Sequence, residues 1–468
     1  MKLVRSLIGI GMCAMVSLVG GNTVFAQTAQ TTERLAALES STDRRLTELE
    51  TKTDAPGLWK TLGFQLSGAV DASFTQNFNS PNTNLNQLRI FDTQSSSFVP
   101  MVAQLMVERP ATAGSATERI GFRARLNFGA QSRFSRARTN YQPGTDSNEL
   151  DIHELYAEYI APIGNGLKIQ VGKINTLIGL EVINSWENPN YSRSFTFGLA
   201  QAFTETGIRF TYPFGTWATA AVGLVNGWDN IEDNNHGKTV TWNLALTPHP
   251  VFGISFYGSY GAEQSNGNAI FGNAGTGICT SGTLGCDPKA KRFVAGSLIT
   301  IKPNDRNTLI IEPYLGNEEN ASAFNPNGNA RWNAILAYFT HDFNDQTQPH
   351  AFSLRVRGEI FEDAGGARTC VGGNNFNGGS NVCAGPAAAG GFNATTPGIS
   401  GFFFNSATGI GQPQTLWETT WTLQYKPAPS LMTRLEYRYD HSNKAVFLDN
   451  DTPKTHQQTL GFSVVYLF

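Results

Sequence analysis

Charged side chains recur at every second position in several segments of this 468-residue chain, opposite apolar neighbours. In 349–362, for example, Arg355, Arg357 and Glu359 oppose apolar side chains. Rows of fixed charge can tune ion passage through a pore, or they can pair across strands and stiffen a wall. We predict that ten such residues line a pore: Arg123, Arg125, Glu154, Glu158, Arg355, Arg357, Glu359, Arg434, Glu436 and Arg438. Because their signs nearly balance, they do not indicate a preference for anions or cations.

Catalysis would require a different pattern of residues. The chain has 7 His, and none stands at a spacing that places it beside a Ser or Asp partner. The net charge of -3 argues against a nucleic-acid partner. We therefore expect no enzyme activity, no metal, no cofactor and no nucleic-acid binding.

An alternation with a period of two places successive side chains on opposite faces of a β-strand. An arginine that faces lipid at the bilayer midplane costs about 2–4 kcal/mol, so the charged faces are expected to point into a wet interior. The pattern predicts an all-β fold, a transmembrane antiparallel β-barrel of about sixteen strands, wide enough for an aqueous channel. The candidate strands are 62–77, 97–109, 119–130, 151–161, 166–174, 202–212, 215–226, 239–248, 251–263, 290–302, 306–317, 330–343, 349–362, 414–426, 430–441 and 457–468.

The segment Thr459 to Phe468 carries larger, more apolar side chains on one face than on the other. We expect this last strand to pair with the first, because an unpaired strand edge is not tolerated in lipid. Long Asn/Gly-rich connections alternate with short turns along the chain, as the outer loops and periplasmic turns of such barrels do.

The third long connection, loop 175–201, differs from the others because it is rich in Ile, Leu, Phe and Trp. We predict that it folds into the barrel and forms a constriction. The residues assigned to this constriction are Glu181, Trp186, Glu187, Tyr191 and Arg193. The alternative is a loop that packs over the rim with its charges in solvent.

The N-terminal region predicts export. Residues 1–26 have the basic start, apolar core and small residue at the cleavage point of a signal peptide. Within residues 27–56, we predict a short charged helix on the periplasmic side. Its leucines repeat after eleven residues, so it is either a solvated helix or a self-association segment. The barrel is expected to occupy 57–468.

Four cysteines fall in two predicted outer loops: Cys279, Cys286, Cys370 and Cys383. In an exported protein, disulfides persist. Of the three possible connectivities, we expect the two local bridges, Cys279 with Cys286 and Cys370 with Cys383.

Several motifs resemble those of one family. The segment Gly179 to Ile183, the run from Asn188 to Ser194, and Thr206-Gly207-Ile208-Arg209 are similar to the central motif of the putative β-barrel porin-2 (OmpL-like) family. The stretches beginning at Ser67 and Gly121 are similar to it as well. The resemblance covers about residues 62–468 and implies a porin-like barrel of the outer membrane, without a defined substrate.

Together these features predict a passive porin in the outer membrane of a Gram-negative bacterium, for small hydrophilic solutes or ions. Its expected partners are outer-membrane lipid, lipopolysaccharide, the transported solute and two further copies in a homotrimer. A competing prediction is a structural or adhesive barrel that acts through its long outer loops.

Overall fold

The protein is described from a computed structural model. It describes residues 63–135, 150–233, 235–264, 287–321, 328–366, 368–369, 404–405, 410–411 and 413–468. The predicted signal peptide, the predicted helix within 27–56 and all four cysteines of the predicted disulfides lie outside these residues. Among the helices that are described, none is long and apolar enough to cross a membrane.

Sixteen antiparallel strands form one closed barrel, in which each strand pairs with its neighbours in sequence. The strands are β1 (Gln65–Asn77), β2 (Ser97–Arg109), β3 (Ile120–Phe128), β4 (Leu150–Ala161), β5 (Leu167–Asn175), β6 (Thr204–Pro213), β7 (Ala218–Trp228), β8 (Thr239–His249), β9 (Phe252–Ala262), β10 (Lys291–Asn304), β11 (Asn307–Glu318), β12 (Ala330–Asp342), β13 (Ala351–Asp363), β14 (Gln414–Ala428), β15 (Leu431–Ser442) and β16 (His456–Leu467). The prediction of an all-β barrel of about sixteen strands is confirmed.

Closure joins the first strand to the last, as the sequence predicts. Ala69 pairs with Leu467 and Asn77 pairs with Thr459. The Gly68 and Phe468 backbones exchange two hydrogen bonds, of 2.8 and 2.9 Å, at the end of this seam. No unpaired edge remains between β1 and β16 along this register.

Most strands alternate between an exposed outer face and a buried inner face. In β16, Leu460 and Phe462 are exposed, whereas Thr459 and Ser463 are buried. Large apolar side chains on the outside suit a lipid environment, and polar side chains on the inside suit a barrel that encloses loops and water.

The connections also alternate in length. Short turns such as 162–166 and 305–306 lie at one end, here named the short-turn end. Longer connections lie at the opposite end, the long-loop end, and include 78–96, 176–203 and 443–455. The longer connections contain a helix at Ser132–Ser135 and two small hairpins, Phe404–Asn405 with Ile410–Gly411 and Phe447–Asp449 with Thr452–Lys454.

The inner wall is not uniform. Along β9 to β12 the buried inward positions carry mainly apolar and aromatic side chains. We name the following residues the apolar wall: Tyr257, Val294, Leu298, Ile310, Tyr314, Trp332, Leu336 and Tyr338. Trp332 lies over Gly316 of the neighbouring strand, where a Cβ atom would approach its ring to 2.0 Å. Glycine at 316 therefore makes room for the indole.

Candidate functional site

The connection between β5 and β6 crosses the interior of the barrel. We name residues 176–203 the inner loop. It contains a 3₁₀ turn at Ser185–Glu187 and a six-residue helix at Phe195–Ala200. All of its residues are buried except Trp186, Glu187, Pro189 and Gly198. The inner loop is therefore packed inside the barrel along nearly its whole length.

Carboxylates of the far wall accept hydrogen bonds from the backbone of the inner loop. Glu359 on β13 accepts the amide protons of Phe195 at 2.6 Å and Thr196 at 2.7 Å, where the short helix begins. Glu436 on β15 accepts those of Tyr191 at 2.7 Å and Ser192 at 2.9 Å. Each of these two side chains thus accepts hydrogen bonds from two backbone amides of the inner loop, and these four bonds fix the loop to the wall.

Arginines of the same wall bind the carbonyl oxygens of the inner loop. Arg357 donates to the Ser192 carbonyl at 2.6 Å, and Arg438 donates to the Arg193 carbonyl at 2.5 Å. Arg434 donates to two further carbonyls, those of Ser185 at 2.7 Å and Asn188 at 3.0 Å. We name Arg357, Glu359, Arg434, Glu436 and Arg438 the anchoring wall. All five are buried.

Other strands hold the remaining parts of the inner loop. Near its start and end, Glu312 on β11 accepts hydrogen bonds from the Leu180 amide at 3.4 Å and from Gln201 at 3.0 Å. At its middle, Ser185 donates to Asp71 on β1 at 2.5 Å. The loop thus contacts opposite sides of the barrel and spans its cross-section.

Three of the five residues predicted for the constriction are enclosed by the loop itself. Glu181 accepts from the Ser194 amide at 2.7 Å and pairs with Arg357 at 2.7 Å. Arg193 donates to the carbonyl oxygens of Tyr191, at 2.7 Å, and Ile183. Burial lowers the pKa of the Arg193 guanidinium and raises the pKa of the Tyr191 phenol well above its usual value.

The other two, Trp186 and Glu187, are only half-buried. Trp186 packs against Ala69, Met432 and Val465, which lie on the inner face near the short-turn end. Glu187 lies 3.6 Å from Arg125 on β3. The tip of the inner loop therefore lies toward the short-turn end and is bordered by β1, β3, β15 and β16.

On the β2–β4 side, the residues predicted to line a pore form ion pairs. Arg123 pairs with Glu108 at 2.7 Å and with Glu154 at 3.4 Å, and Arg125 pairs with Glu154 at 3.2 Å. Glu158 accepts from the Ala111 amide at 2.7 Å. These side chains lie on the inner face, where fixed charges of both signs stand close together.

The connection 78–96 also enters the barrel mouth, which the sequence pattern did not predict. Phe91, from 78–96, lies against Phe197 and Phe203 of the inner loop, with ring centroids 6.1 and 5.5 Å apart. Its ring also lies 4.7 Å from the Arg193 guanidinium carbon. Arg89 pairs with Asp440 on β15 at 2.6 Å. The apolar run around Ile90 is the signal that could have identified this second inward loop.

Glu312 was also missed, although its position between Ile310 and Tyr314 places it on the inner face by simple alternation. Among the residues that the structure describes, no three His, Cys, Asp or Glu side chains converge as a metal site would require. The site is thus a folded loop held across a barrel by charged wall side chains.

Comparison with solved structures gives barrels of the same architecture. A structure of OprB from Pseudomonas putida, determined at high pH, superposes with a TM-score of 0.51 at 10% identity, over 88% of this chain and 95% of that one. An anion-selective porin from Comamonas acidovorans superposes with a TM-score of 0.50 at 8% identity, over 86% and 99% of the two chains. At these identities, the likeness concerns the fold.

A comparison with curated protein sequences finds no match. A family model described as putative beta-barrel porin-2, OmpL-like, matches residues 63–468, which include every strand of the barrel and the inner loop. This match confirms the resemblance seen in the motifs. The chain therefore belongs to the putative beta-barrel porin-2, OmpL-like family.

Proposed function

We propose that this protein is a passive channel of the bacterial outer membrane for small hydrophilic solutes or ions, with the inner loop as its constriction. The observation that carries the proposal is the inner loop, held across a sixteen-stranded barrel by the anchoring wall. A barrel of this strand number encloses an aqueous channel unless other parts of the chain fill it. A loop fixed inside the barrel narrows this channel.

The proposed pore surface divides into two roles. Trp186 and Glu187 at the tip of the inner loop, with Arg123 and Arg355 on the wall, are partly exposed and are assigned to the passage. The buried residues of the anchoring wall, with Glu181, Tyr191 and Arg193, are assigned to positioning the constriction. No bond is broken in this function, and membership of a porin family favours a channel over an enzyme.

The proposed surroundings follow from the outer face of the barrel. Its exposed apolar side chains are expected to contact outer-membrane lipid, and the long-loop end is expected to meet lipopolysaccharide. A homotrimer is proposed by analogy with porins. Chemical cross-linking in native outer membranes, resolved by gel mobility, would show a threefold mass for a trimer and a single mass for a monomer.

The test is single-channel recording of the refolded protein in a planar bilayer. We expect steady conductance steps from the native protein and larger steps from Trp186→Ala, because the substitution removes bulk at the tip of the loop. Trp421→Ala is the matched control, since this tryptophan is exposed on the outer face of β14 and does not contact the interior. Its steps should equal those of the native protein.

Absence of conductance from folded, inserted protein would contradict the channel. The burial of nearly the whole inner loop, together with the inward packing of Phe91, favours a second function in that case. The barrel would then be a closed structural or adhesive protein that acts through its long outer loops.

A further inference from the structure

A small cavity lies inside the barrel near the long-loop end, between β1, β2 and the connection that joins them. Thr75 on β1 and Ser97 on β2 border it from the wall, and Phe91, Asp92 and Thr93 border it from the connection. It has room for about one water-sized group. Thr93 and Ser97 are only half-buried, so this side of the cavity is the one nearest to solvent. We name this space the mouth cavity.

The Asp92 carboxylate, which borders the mouth cavity, has one oxygen that lacks a donor. Its Oδ2 atom pairs with Arg89 at 2.5 Å. Its Oδ1 atom is buried and accepts no hydrogen bond from the residues that the structure describes. Thr75 and Thr93 carry hydroxyl groups that can accept further hydrogen bonds. A buried acceptor without a donor is costly, so we expect the cavity to hold a group that donates hydrogen bonds.

Asp92 is also one end of a chain of ion pairs. Arg89 joins Asp92 to Asp440 on β15, at 2.5 and 2.6 Å. The chain continues through four further residues, alternately basic and acidic, with separations of 2.5 to 3.7 Å: Arg438, Glu418, Arg357 and Glu181. Because both ends are acidic, four carboxylates face three guanidinium groups. The chain therefore carries one negative charge in excess.

Other charged groups near the mouth cavity do not remove this excess. Arg193 interacts electrostatically with Asp92, and it interacts with Asp71 as well. The Asp71 Oδ1 atom is likewise buried without a hydrogen-bond donor in the described part of the chain. Arg193 and Asp71 together add one charge of each sign, and so do Arg434 and Glu436 on β15. The surroundings of the cavity thus favour a cation.

We propose that the mouth cavity binds the ammonium group of a small primary amine. Such a group is about the size of a water molecule, carries the charge that the ion-pair chain lacks, and has three N–H donors. One donor can satisfy the Asp92 Oδ1 atom, and the hydroxyl oxygens of the cavity can accept the others. A water molecule would fill the same space without supplying the charge. This inference rests on the proposed channel function where it names amines as solutes that the channel holds at its long-loop end.

The first test is calorimetric titration of the refolded barrel with methylammonium chloride, with the ionic strength held constant by tetramethylammonium chloride. Tetramethylammonium has the same charge, but it has no N–H donor and is too large for the cavity. We expect saturable binding of methylammonium that Asp92→Asn abolishes. Thr75→Val keeps the shape of the side chain and should weaken binding about tenfold, the effect of one hydrogen bond to a charged group.

The matched control is Thr340→Val, since Thr340 is half-buried on β12 and does not border the cavity. It should bind methylammonium as the native protein does. Asp92→Asn also weakens the pair with Arg89, so Thr75→Val is the decisive variant. No binding by the native barrel, or equal binding by the native protein and Thr75→Val, would overturn the inference.

A second measurement separates this inference from the channel itself. In single-channel recording in potassium chloride, added methylammonium should lower the mean current of the native protein, whereas tetramethylammonium should not. The effect should be weaker in Thr75→Val and unchanged in Thr340→Val. Methylammonium binding by a folded barrel that passes no current would support the cavity and contradict the channel. A steady current in a barrel that does not bind methylammonium would overturn the inference and leave the channel function supported.

Discussion

The inner loop lies between two walls that hold it by different physical means. The anchoring wall of β13 and β15 contacts the loop backbone through arginine and glutamate side chains, at distances of 2.5 to 3.0 Å. The apolar wall of β9 to β12 belongs with Ile178, Phe197 and Phe203 of the loop to one buried cluster. Directional bonds specify where the loop lies, whereas apolar packing supplies stability without fixing a register.

A charged side chain on the inner face of this barrel does not necessarily line a passage. The alternation around Arg357 predicts a wet interior, and the side chain does lie on the inner face. The inner loop nevertheless covers this side chain fully. Arg357 binds Glu181 and the Ser192 carbonyl of the loop, and it also binds Glu418 on the neighbouring strand. An inward charge can therefore serve either the passage or the loop, and only its neighbours across the barrel distinguish the two.

The largest expected effect comes from Arg357→Ala. The substitution leaves Glu181 and Glu418 buried without their cation, and breaking a buried ion pair in this way costs about 3–5 kcal/mol. We expect a lower free energy of unfolding in urea, and larger, flickering conductance steps as the loop loosens.

Arg355→Ala is the matched control, since Arg355 lies on the same face of the same strand and is partly exposed. A part-exposed pair contributes about 0–1 kcal/mol, so stability should change little. Equal losses of stability in the two variants would contradict the special role of the covered arginine.

A smaller effect is expected at the apolar wall. Leu336 is 1% exposed and lies in the cluster that includes the inner loop. Leu336→Ala should cost about 2–5 kcal/mol, with the lower part of this range expected if the loop relaxes into the cavity. Urea unfolding would measure it, against Ile335→Ala on the lipid face as control. If packing holds the loop without fixing its position, conductance should stay nearly unchanged.

The smallest of the three effects is expected for Glu359→Gln. The amide keeps the shape and one acceptor oxygen but presents an NH₂ group to a second backbone donor. A buried backbone donor left without its acceptor costs about 1–3 kcal/mol. Faster proteolysis within 194–200 in native-like detergent, with the barrel still resistant, would show that the carboxylate fixes this segment. Unchanged proteolysis would assign the anchoring to the other contacts.

Much of the barrel follows from local sequence. The predicted strand 97–109 has the bounds of β2, and the other fifteen predictions fall on barrel strands with ends displaced by three residues at most. Strand alternation and turn residues are short-range signals, so a single sequence contains them. The predicted strand 119–130 continues past β3, which ends at Phe128 before Gly129 takes a φ of +125°.

The contacts of the inner loop could not be predicted in the same way. Its position in the chain and its apolar composition indicate that it folds inward. Which wall residues receive it depends on the distance across the closed barrel and on the strand register. Neither the pairing of Glu359 with Thr196 nor the approach of Phe91 to Arg193 has a local signal.

The length of chain between these partners has a consequence for the order of events during folding. Leu180 and Glu312 are 132 residues apart, Phe195 and Glu359 are 164 apart, and Tyr191 and Glu436 are 245 apart. Contacts of such high sequence separation form slowly, because the intervening chain must first be ordered. The inner loop therefore has no complete docking surface until β15 has joined the sheet. The docking of the inner loop is therefore among the last steps of assembly. Before this step, the interior of the barrel is less filled than in the finished protein.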